Sequence, residues 1–432
     1  MKVLMFGWEF PPHIAGGLGT ACYGLTKGLA KNFVEVAFVM PKASGDEDQR
    51  AVRIINASDV EVDTRYAHLQ SFSDRVSFME VHSQMVPYVG MNDYYQLVNQ
   101  LNSGVFETNV PGEKRKYSFS GTYTKNLMGE IEQYALVAAE LARTEHFDII
   151  HAHDWLTYKA GIVAKRVSGK PLVVHIHATE FDRSGENNLN DIVYGIEREG
   201  MMAADRVCAV SDLTRRIVIE KYGIPAEKVV TLHNAVEPTG RSVVRQKAVK
   251  EKIVTFLGRV TYQKGPEYFV ETAQKVLEKD DNVRFVLAGD GDRMTKIIER
   301  VAELGISDKF HFTGFLKGDD IDTMFGMSDV YVMPSISEPF GISPLEAMRA
   351  SVPVVISKQS GVSEVLQYAI KVDFWDVNAM ADAIYGILHY PALAKMFAHK
   401  GKEEVDNLKW EKVAAKLKTI YEDVLNYSGH EA

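Results

Sequence analysis

The residues with the clearest chemical potential form one string, Glu338-Pro339-Phe340-Gly341-Ile342-Ser343-Pro344-Leu345-Glu346. The string follows an apolar run that ends at Met333, so it begins where a buried strand would give way to a loop. Pro344 suits the first turn of a helix, and Gly341 lets the backbone come close to a ligand. The free amides at this predicted helix start could therefore bind an anionic group such as a diphosphate.

The two carboxylates of the string could accept hydrogen bonds from hydroxyl groups of a ligand. Glu338 would stand in the loop beside a bound sugar, and Glu346 would lie on the first helical turn, near the hydroxyls of a ribose. Ser343 and Glu346 also have the spacing of a capping box, in which each side chain satisfies the backbone amide of the other. A capping box explains neither Glu338 nor Gly341, so we interpret the string as a binding site.

Two cations follow a second apolar run, residues 253–257, in Gly258-Arg259-Val260-Thr261-Tyr262-Gln263-Lys264-Gly265. Ligands of open α/β sheets bind beyond the carboxyl ends of the strands, which is where Arg259 and Lys264 would lie. Fixed positive charges there would stabilise a leaving diphosphate more strongly in the transition state than in the ground state. A pair of solvated loop charges is the alternative, and the flanking glycines favour the binding site.

Glycines also precede a helical pattern near the start of the chain, in His13-Ile14-Ala15-Gly16-Gly17-Leu18-Gly19. Gly16 and Gly17 could admit a diphosphate at the helix start, although a tight turn alone would also explain them. The spacing differs from the dinucleotide fingerprint, and no acidic residue closes the second strand. The sequence therefore gives little support to NAD binding, and no cofactor is predicted.

Four histidines end two further apolar runs, in His151-Ala152-His153-Asp154-Trp155 and His175-Ile176-His177-Ala178-Thr179-Glu180. Such a set suggests zinc, but no helical HExxH motif or cysteine cluster accompanies it, so we predict no metal site. His177 is predicted to donate a hydrogen bond to a sugar hydroxyl, and either His175 or His151 alone is compatible with a core position. Two short acidic groups are interpreted as loop residues, namely Asp46-Glu47-Asp48 and Asp290-Gly291-Asp292.

Alternating apolar runs and helical patterns predict parallel sheets with helices between the strands. One series of runs lies before a polar stretch at residues 239–251, and a second series follows it. We therefore predict an α/β protein with two doubly wound, Rossmann-like domains joined by a linker in that stretch. The predicted strands cover residues 2–6, 34–40, 148–151, 172–176, 206–210 and 228–232, and then 253–257, 283–288, 309–312, 330–333 and 352–356.

The predicted domains cover residues 1–240 and 250–409. Residues at about 62–120 break the alternation and are rich in aromatic side chains, which indicates an insertion whose rings either stack on sugars or pack on one another. Ser211 is predicted to cap a helix, because its hydroxyl can accept a hydrogen bond from an unpaired amide. Residues 410–432 contain an amphipathic terminal helix, whose apolar face carries Val413, Leu417, Ile420 and Val424.

Composition restricts the function further. The net charge of -9 argues against a nucleic-acid partner, because phosphate backbones are usually met by a basic face. The two cysteines, Cys22 and Cys208, lie far apart without metal or redox spacing, which indicates reduced thiols. We recognise no export signal, and no apolar run approaches the roughly 18 residues that a spanning helix needs. We therefore expect a cytoplasmic protein without integral membrane association.

Together, these motifs resemble the GT-B glycosyltransferases of family four and the related glycogen and starch synthases. The resemblance spans nearly the whole chain. It implies two Rossmann-like domains that face a deep interdomain cleft, with the terminal helix crossing back to the first domain. It rests on Gly16-Gly17-Leu18, His153-Asp154-Trp155, His177-Ala178-Thr179, Gly258-Arg259 with Lys264-Gly265, and the string from Glu338 to Glu346.

By this resemblance, the motifs bind a nucleotide-sugar donor and a glycan acceptor. Arg259 and Lys264 hold the donor diphosphate. Glu338 holds the transferred sugar, and His177 lies near its 6-hydroxyl; these four are the implied catalytic residues. Asp154 would face the acceptor or the sugar. The other implied donor-binding residues are Gly16 and Gly17, Phe315 beside the base, Glu346 on the ribose, and Gly341, Ile342 and Ser343 through their amides.

The resemblance also implies a reaction that retains the anomeric configuration. Residues 177–185 are similar to glycogen synthases of archaeal and eukaryotic style, whereas Ile14 departs from the lysine of bacterial starch-type synthases. We therefore expect transfer of glucose from ADP-glucose or UDP-glucose to the non-reducing end of an α-1,4-glucan. The alternatives are another acceptor, such as a sucrose precursor, a lipid or a cell-surface glycan, and, in other classes, a non-catalytic nucleotide-sugar or glycan binder and a sugar-nucleotide epimerase or hydrolase.

Overall fold

A computed structural model describes residues 1–13, 16–63, 114–121, 126–185, 188–236 and 249–428. Two parallel β-sheets organise these residues, one in each half of the chain. Both sheets bury apolar side chains on both faces, because helices cover each side of a parallel sheet. The predicted α/β class with two doubly wound parallel sheets is confirmed.

The first half of the chain builds a seven-stranded parallel sheet. The strands of this half are β1 Lys2–Phe6, β2 Glu35–Met40, β3 Arg53–Asn56, β4 Val62–Asp63, β5 Lys114–Arg115, β6 Ile149–His153, β7 Leu172–Ile176, β8 Arg206–Ala209 and β9 Val229–Thr231. The sheet order is β3-β2-β1-β6-β7-β8-β9, whereas β4 and β5 form a separate antiparallel pair. Successive strands are therefore added to one side of β1 up to β3 and to its other side from β6 onward, and ligands of such sheets bind near this reversal of strand order.

Helices cover the two faces of this sheet. They are α1 Gly17–Lys31, α2 Leu127–Thr144, α3 Trp155–Ser168, α4 Glu180–Ser184, α5 Asp191–Ala203 and α6 Asp212–Tyr222. Successive strand residues point to opposite sides, so Leu4 and Phe6 pack with α2 and α3, whereas Val3 and Met5 pack with α1.

The second half of the chain builds a six-stranded parallel sheet in the same way. Its strands are β10 Lys252–Leu257, β11 Val283–Ala288, β12 Phe310–Gly314, β13 Val330–Met333, β14 Val354–Ser357 and β15 Ile370–Val372, in the order β12-β11-β10-β13-β14-β15. Its helices are α7 Pro266–Leu277, α8 Met294–Glu303, α9 Asp319–Met327, α10 Ser343–Arg349, α11 Val362–Val365, α12 Val377–His389 and α13 Pro391–Val405. Short 3-10 turns occupy Ala57–Asp59, Ala226–Lys228, Tyr262–Lys264 and Ser307–Lys309.

The last helix, α14 Trp410–Ser428, packs on α1 of the first half. Trp410 is buried against Gly24 and Gly28, which lack the side chains that would fill its place. Further along α14, Tyr421 makes a hydrogen bond to His151 of β6. The end of the described chain is thus part of the apolar core on one face of the first sheet.

Periodicity located the central strands within two residues of their observed ends. It missed β3 and β15, which are short strands at the edges of their sheets. The predicted cap is confirmed, since Ser211 Oγ accepts the amide of Thr214 at 3.0 Å. Most of the predicted insertion at about 62–120 lies outside the described residues, as does Ile14.

Candidate active site

A lysine and a glutamate meet at the carboxyl end of the second sheet. Lys264, in the 3-10 turn after β10, donates to Glu338 Oε2 at 2.5 Å, and Ser335 Oγ donates to the same oxygen at 3.2 Å. Glu338 follows β13 and is only 6% exposed. The carboxylate is therefore held in one position, while the Lys264 ammonium has further N–H groups for a ligand.

Arg259 lies in the same loop as Lys264 and is exposed. Its guanidinium has no hydrogen bond or ion pair with any other residue that the structure describes. A guanidinium can bind two phosphate oxygens at once. Because β10 and β13 are neighbouring parallel strands, Arg259, Lys264 and Glu338 lie together beyond the carboxyl ends of these two strands.

The backbone of the 338–346 string is shaped by one glycine. Gly341 has a φ of +99°, and a Cβ there would lie 3.1 Å from Met333 Sδ and 3.2 Å from Glu338 Cγ. Any other residue would be strained in this conformation. Helix α10 starts at Ser343, but no side chain caps it, so the capping-box alternative is wrong. Within the described chain, no acceptor pairs with the amides of Gly341, Ile342 and Ser343.

Two other predicted donor-binding residues belong to elements of the same sheet. Glu346 is on the first turn of α10, where burial raises the pKa of its carboxyl, Arg349 partly lowers it and Asp322 adds to the rise. Phe315 follows the edge strand β12 and is 54% exposed, with Lys317 Nζ 5.6 Å from the ring centroid. Its ring is thus accessible for stacking on a planar group.

In the first half, Asp154 and His177 are joined through the backbone. Asp154 Oδ1 accepts the amide of His177 at 2.6 Å, and the Asp154 amide donates to the His175 carbonyl at 2.9 Å. Burial raises the pKa of Asp154 to about 7, and the hydrogen bond from the His177 amide opposes that rise. Burial also lowers the pKa of His177 to about 3, so its imidazole is neutral near pH 7. Asp154 is 8% exposed and positions the His177 loop.

A buried ionic network supports this loop and was not predicted from the sequence. Arg183 pairs with Glu197 of α5 and with Glu180, and it donates to the Ala178 carbonyl at 3.1 Å. The Tyr222 hydroxyl donates to Glu197 as well. A glutamate inside the apolar pattern of α5 was the available signal, because a buried carboxylate needs such partners.

Contacts between the two halves bring the predicted residues together. Ser337 Oγ, beside Glu338, donates to Asp182 Oδ1 at 2.5 Å, in the short helix α4 that follows the His177 loop. A Cβ on Gly17 would lie 3.7 Å from Ile342 Cδ1 of the opposite half. Sequence reasoning named Gly17 and Ile342 separately but missed the Ser337–Asp182 bond.

The start of α1 is contacted by a residue that sequence reasoning missed. The helix begins at Gly17, and the buried Glu9 accepts the amide of Gly19 through Oε1 at 3.1 Å. A carboxylate at a helix N-terminus is favoured by the helix dipole. A ligand at this helix start would therefore meet Gly16 and Gly17 but not the Gly19 amide, which is already bonded.

Comparison with family models identifies the family to which the chain belongs. A family model described as the starch synthase catalytic domain matches residues 2–231, just over half of the chain. This chain belongs to that family of GT-B glycosyltransferases. A second model, described as glycosyl transferases group 1, matches residues 242–404, so the two matches divide the chain near the predicted linker.

Several proteins similar to this starch synthase family member align with it over nearly its whole length. An uncharacterised glycosyltransferase of Methanocaldococcus jannaschii is 26% identical, covering 99% of this chain and 100% of the relative. A glycogen synthase of Mycobacterium tuberculosis is 23% identical, covering 98% and 94%. The catalytic domain of starch synthase IV from Arabidopsis thaliana, solved with ADP and acarbose, superposes with a TM-score of 0.67 at 16% identity, covering 98% and 99%.

Two groups of side chains in this glycosyltransferase have the composition of a metal site, among the described residues. The rings of His151, His153 and His175 are stacked, with interplanar angles of 10° to 27°. Imidazole binds a metal through an in-plane lone pair, and stacked rings do not direct three lone pairs at one ion. The other group consists of Asp212, His233 and Glu364. Both oxygens of Glu364 already accept hydrogen bonds from the amides of Asp212 and Leu213.

The acidic loops are likewise engaged by the protein itself. Asp48 binds the side chains of Arg50 and Tyr23, and Asp290 accepts the amide of Gly291. Over the described part of the chain, no helix is long and apolar enough to cross a membrane.

Proposed function

We propose that this glycosyltransferase moves glucose from a nucleotide-glucose donor, ADP- or UDP-linked, to the non-reducing end of an α-1,4-glucan with retention of anomeric configuration. The observation that carries the proposal is the pair of Lys264 and Glu338 beside Arg259, which has no partner among the described residues. Such a group combines fixed cations for a diphosphate with a fixed carboxylate for the adjoining sugar.

Each charged residue has a proposed task. Arg259 and Lys264 bind the diphosphate and stabilise its charge as the bond from sugar C1 to the phosphate oxygen breaks. The acceptor hydroxyl oxygen forms a new bond to C1 on the same face, and its proton passes to an oxygen of the departing phosphate. Glu338 positions the sugar and stabilises the positive charge that develops on it. No second carboxylate is needed as a nucleophile.

The remaining donor contacts follow from placement along the sheet edge. The ring of Phe315 would stack on the base, and the carboxyl of Glu346 would accept ribose hydroxyls. The amides of Gly341, Ile342 and Ser343, which lack acceptors within the described chain, would bind phosphate oxygens. The Arabidopsis starch synthase was solved with ADP, which supports a nucleoside diphosphate in this fold.

The acceptor would enter from the first half of the chain, where Asp182, in the helix after the His177 loop, accepts a hydrogen bond from Ser337 beside Glu338. The neutral imidazole of His177 would bind a sugar hydroxyl, and Asp154 would orient its loop. Full-length alignment with a glycogen synthase favours a glucan acceptor over a sucrose precursor, a lipid or a cell-surface glycan.

A donor and acceptor screen tests the proposal. The purified protein is mixed with ADP-glucose or UDP-glucose labelled in the sugar, and with glycogen, maltooligosaccharides or the other acceptors. We expect label in the glucan, released by α-glucan hydrolases, with an α-configured product by NMR. Unchanged donor throughout would indicate a binder, an altered sugar on the nucleotide an epimerase, and free glucose a hydrolase.

Substitutions test the assigned residues. Glu338→Gln should lower kcat by about 100-fold or more while donor affinity changes little, because the loss falls on the transition state. Arg259→Gln should weaken donor binding and turnover together. The matched control is Arg300→Gln, at a half-buried arginine on α8 of the same half that pairs with Glu271. Full transfer activity in Glu338→Gln with normal donor binding would refute the role of Glu338.

A further inference from the structure

Four histidine rings form a stacked column in the first half of the chain. His151 and His153 lie on the same face of β6, while His175 is the penultimate residue of β7 and His177 follows the strand. Ring centroids lie 4.3 Å apart for His151 and His153, and also for His175 and His177. His153 pairs with His175 in the sheet register, which brings the two strands' rings side by side. The proposed function uses only His177 of this column.

One hydrogen bond links His177 to a second member of the column. His153 Nδ1 lies 3.0 Å from His177 Nε2. Burial lowers the pKa of both imidazoles, so both rings are neutral near pH 7. A neutral imidazole carries one N–H and one bare nitrogen, so a single proton lies between these two rings.

Two arrangements of that proton exist, and they leave different groups unpaired. If His177 Nε2 donates, His153 must carry its own proton on Nε2, which is buried and has no partner among the described residues. If His153 Nδ1 donates, its Nε2 is only a bare acceptor. An unpaired buried N–H is a rarer defect than an unpaired acceptor, which favours donation by His153.

We propose that His153 is a positioning residue that holds His177 in the Nδ1–H tautomer, so that His177 presents a hydrogen-bond donor to the sugar. The remaining nitrogen, His177 Nδ1, is not sealed from solvent, and it has no partner in the described chain. The proposal rests on the proposed function only in placing a sugar at His177. The tautomer itself is a property of the free protein.

Nitrogen NMR on the protein labelled at histidine tests the tautomer without any substrate. Long-range ¹H–¹⁵N spectra distinguish a protonated ring nitrogen from a bare one, and the signals of His177 are those lost in His177→Gln. We expect a protonated Nδ1 and a bare Nε2 in the wild-type protein. A proton on Nε2 of His177 would overturn the proposal, whether or not the protein transfers glucose.

Variants then test whether His153 sets this state. The amide nitrogen of Asn can occupy the place of histidine Nδ1, so His153→Asn should keep the tautomer and hold kcat within about threefold. His153→Leu should shift His177 toward the Nε2–H form and lower kcat by about tenfold or more, with a smaller change in acceptor KM. An unchanged His177 spectrum in His153→Leu would reject the positioning role.

The control is His151→Asn, which alters a ring stacked on His153 that does not bond to His177. It should leave both the His177 spectrum and kcat unchanged within about threefold. Equal effects of His151→Asn and His153→Leu would show that column packing, rather than the hydrogen bond, determines activity, and would reject the proposal. If His153→Leu does not fold, the wild-type and His153→Asn spectra still decide it. Absence of transfer with every donor would refute the proposed function and leave the tautomer result standing.

Discussion

At the scale of single residues, the candidate site contains charged groups that the protein itself holds in place. Glu338 is fixed by Lys264 and Ser335, and Asp154 is fixed by the amide of His177. Groups that are already oriented need little reorganisation when a ligand binds, which favours catalysis. Arg259 differs, because it is exposed and unpaired among the described residues, which leaves its guanidinium available for the phosphate contact that we propose.

The raised pKa of Asp154 predicts a pH-dependent stability. Its carboxyl has a pKa of about 7 in the folded protein, against an ordinary value of 3.8. Between these pH values the unfolded chain releases the proton and the folded chain keeps it, so the folded state loses stability as pH rises. The free energy of unfolding of Asp154→Asn should therefore rise relative to that of the wild type between pH 4 and pH 7, by at most about 1.4 kcal/mol per pH unit. The difference should level off above pH 7.

Urea unfolding of both proteins across this pH range measures the effect. Asp423→Asn, which removes an exposed carboxylate from α14, controls for the loss of one charge. Parallel curves for the wild type and Asp154→Asn would show that Asp154 titrates alike in the folded and unfolded chains, contrary to the expectation.

At the scale of elements, the contact between α1 and α14 depends on glycine. A Cβ on Gly28 would lie 2.5 Å from the carbonyl oxygen of Trp410 and 2.8 Å from Ala414 Cβ. A backbone atom cannot move aside as the end of a side chain can, so the two helices would have to separate. Gly24 meets the indole of the same tryptophan. The two glycines let the helices approach closely and bury Trp410.

Gly28→Ala should destabilise the protein by about 1–3 kcal/mol, since overpacking outweighs the gain in helix propensity. Gly195→Ala is the matched control, because Gly195 lies in helix α5, where a Cβ added to it would meet nothing within 4 Å. There the same change should stabilise the protein by about 0.5–1 kcal/mol. Urea unfolding midpoints compare the two, and equal shifts would contradict close packing at Gly28.

At the scale of the whole molecule, the two halves meet through a shared carboxylate. We propose that the halves are domains covering residues 1–240 and 250–409, with 410–432 returning to the first. Glu364 of α11 accepts the amides of Asp212 and Leu213 at 2.8 and 2.7 Å, and it lies 2.9 Å from His233 Nε2. The second half thus caps helix α6 of the first half, where the helix dipole favours a negative charge.

Glu364→Ala should release this contact and weaken the association of the halves. The two amides of α6 would lose their acceptor, at a cost of about 1–2 kcal/mol. Hydrogen exchange at Asp212 and Leu213 should accelerate, and small-angle X-ray scattering should show a larger radius of gyration. Glu403→Ala, on the exposed surface of α13, should change neither. Unchanged exchange in Glu364→Ala would show that the carboxylate does not hold the halves together.

The sequence by itself determined the fold class, most of the strands and the position of the candidate site residues on loops. These features depend on local order: apolar residues recur at the period of a strand or helix, and glycine and proline mark the turns. The 338–346 string is an example, since Gly341 needs its positive φ for reasons of backbone sterics alone.

Only the tertiary structure decided which side chains meet. Lys264 and Glu338 are 74 residues apart, and Asp182 and Ser337 are 155 apart. Lys264 and Glu338 meet because β10 and β13 are neighbouring strands of one sheet, and Asp182 and Ser337 meet because the two halves of the chain are in contact. The spacing of residues along the chain does not encode either placement. The buried Nε2 of His153, which has no partner among the described residues, is a second example. Only the tertiary structure shows that this nitrogen is shielded from the water that would otherwise bond to it.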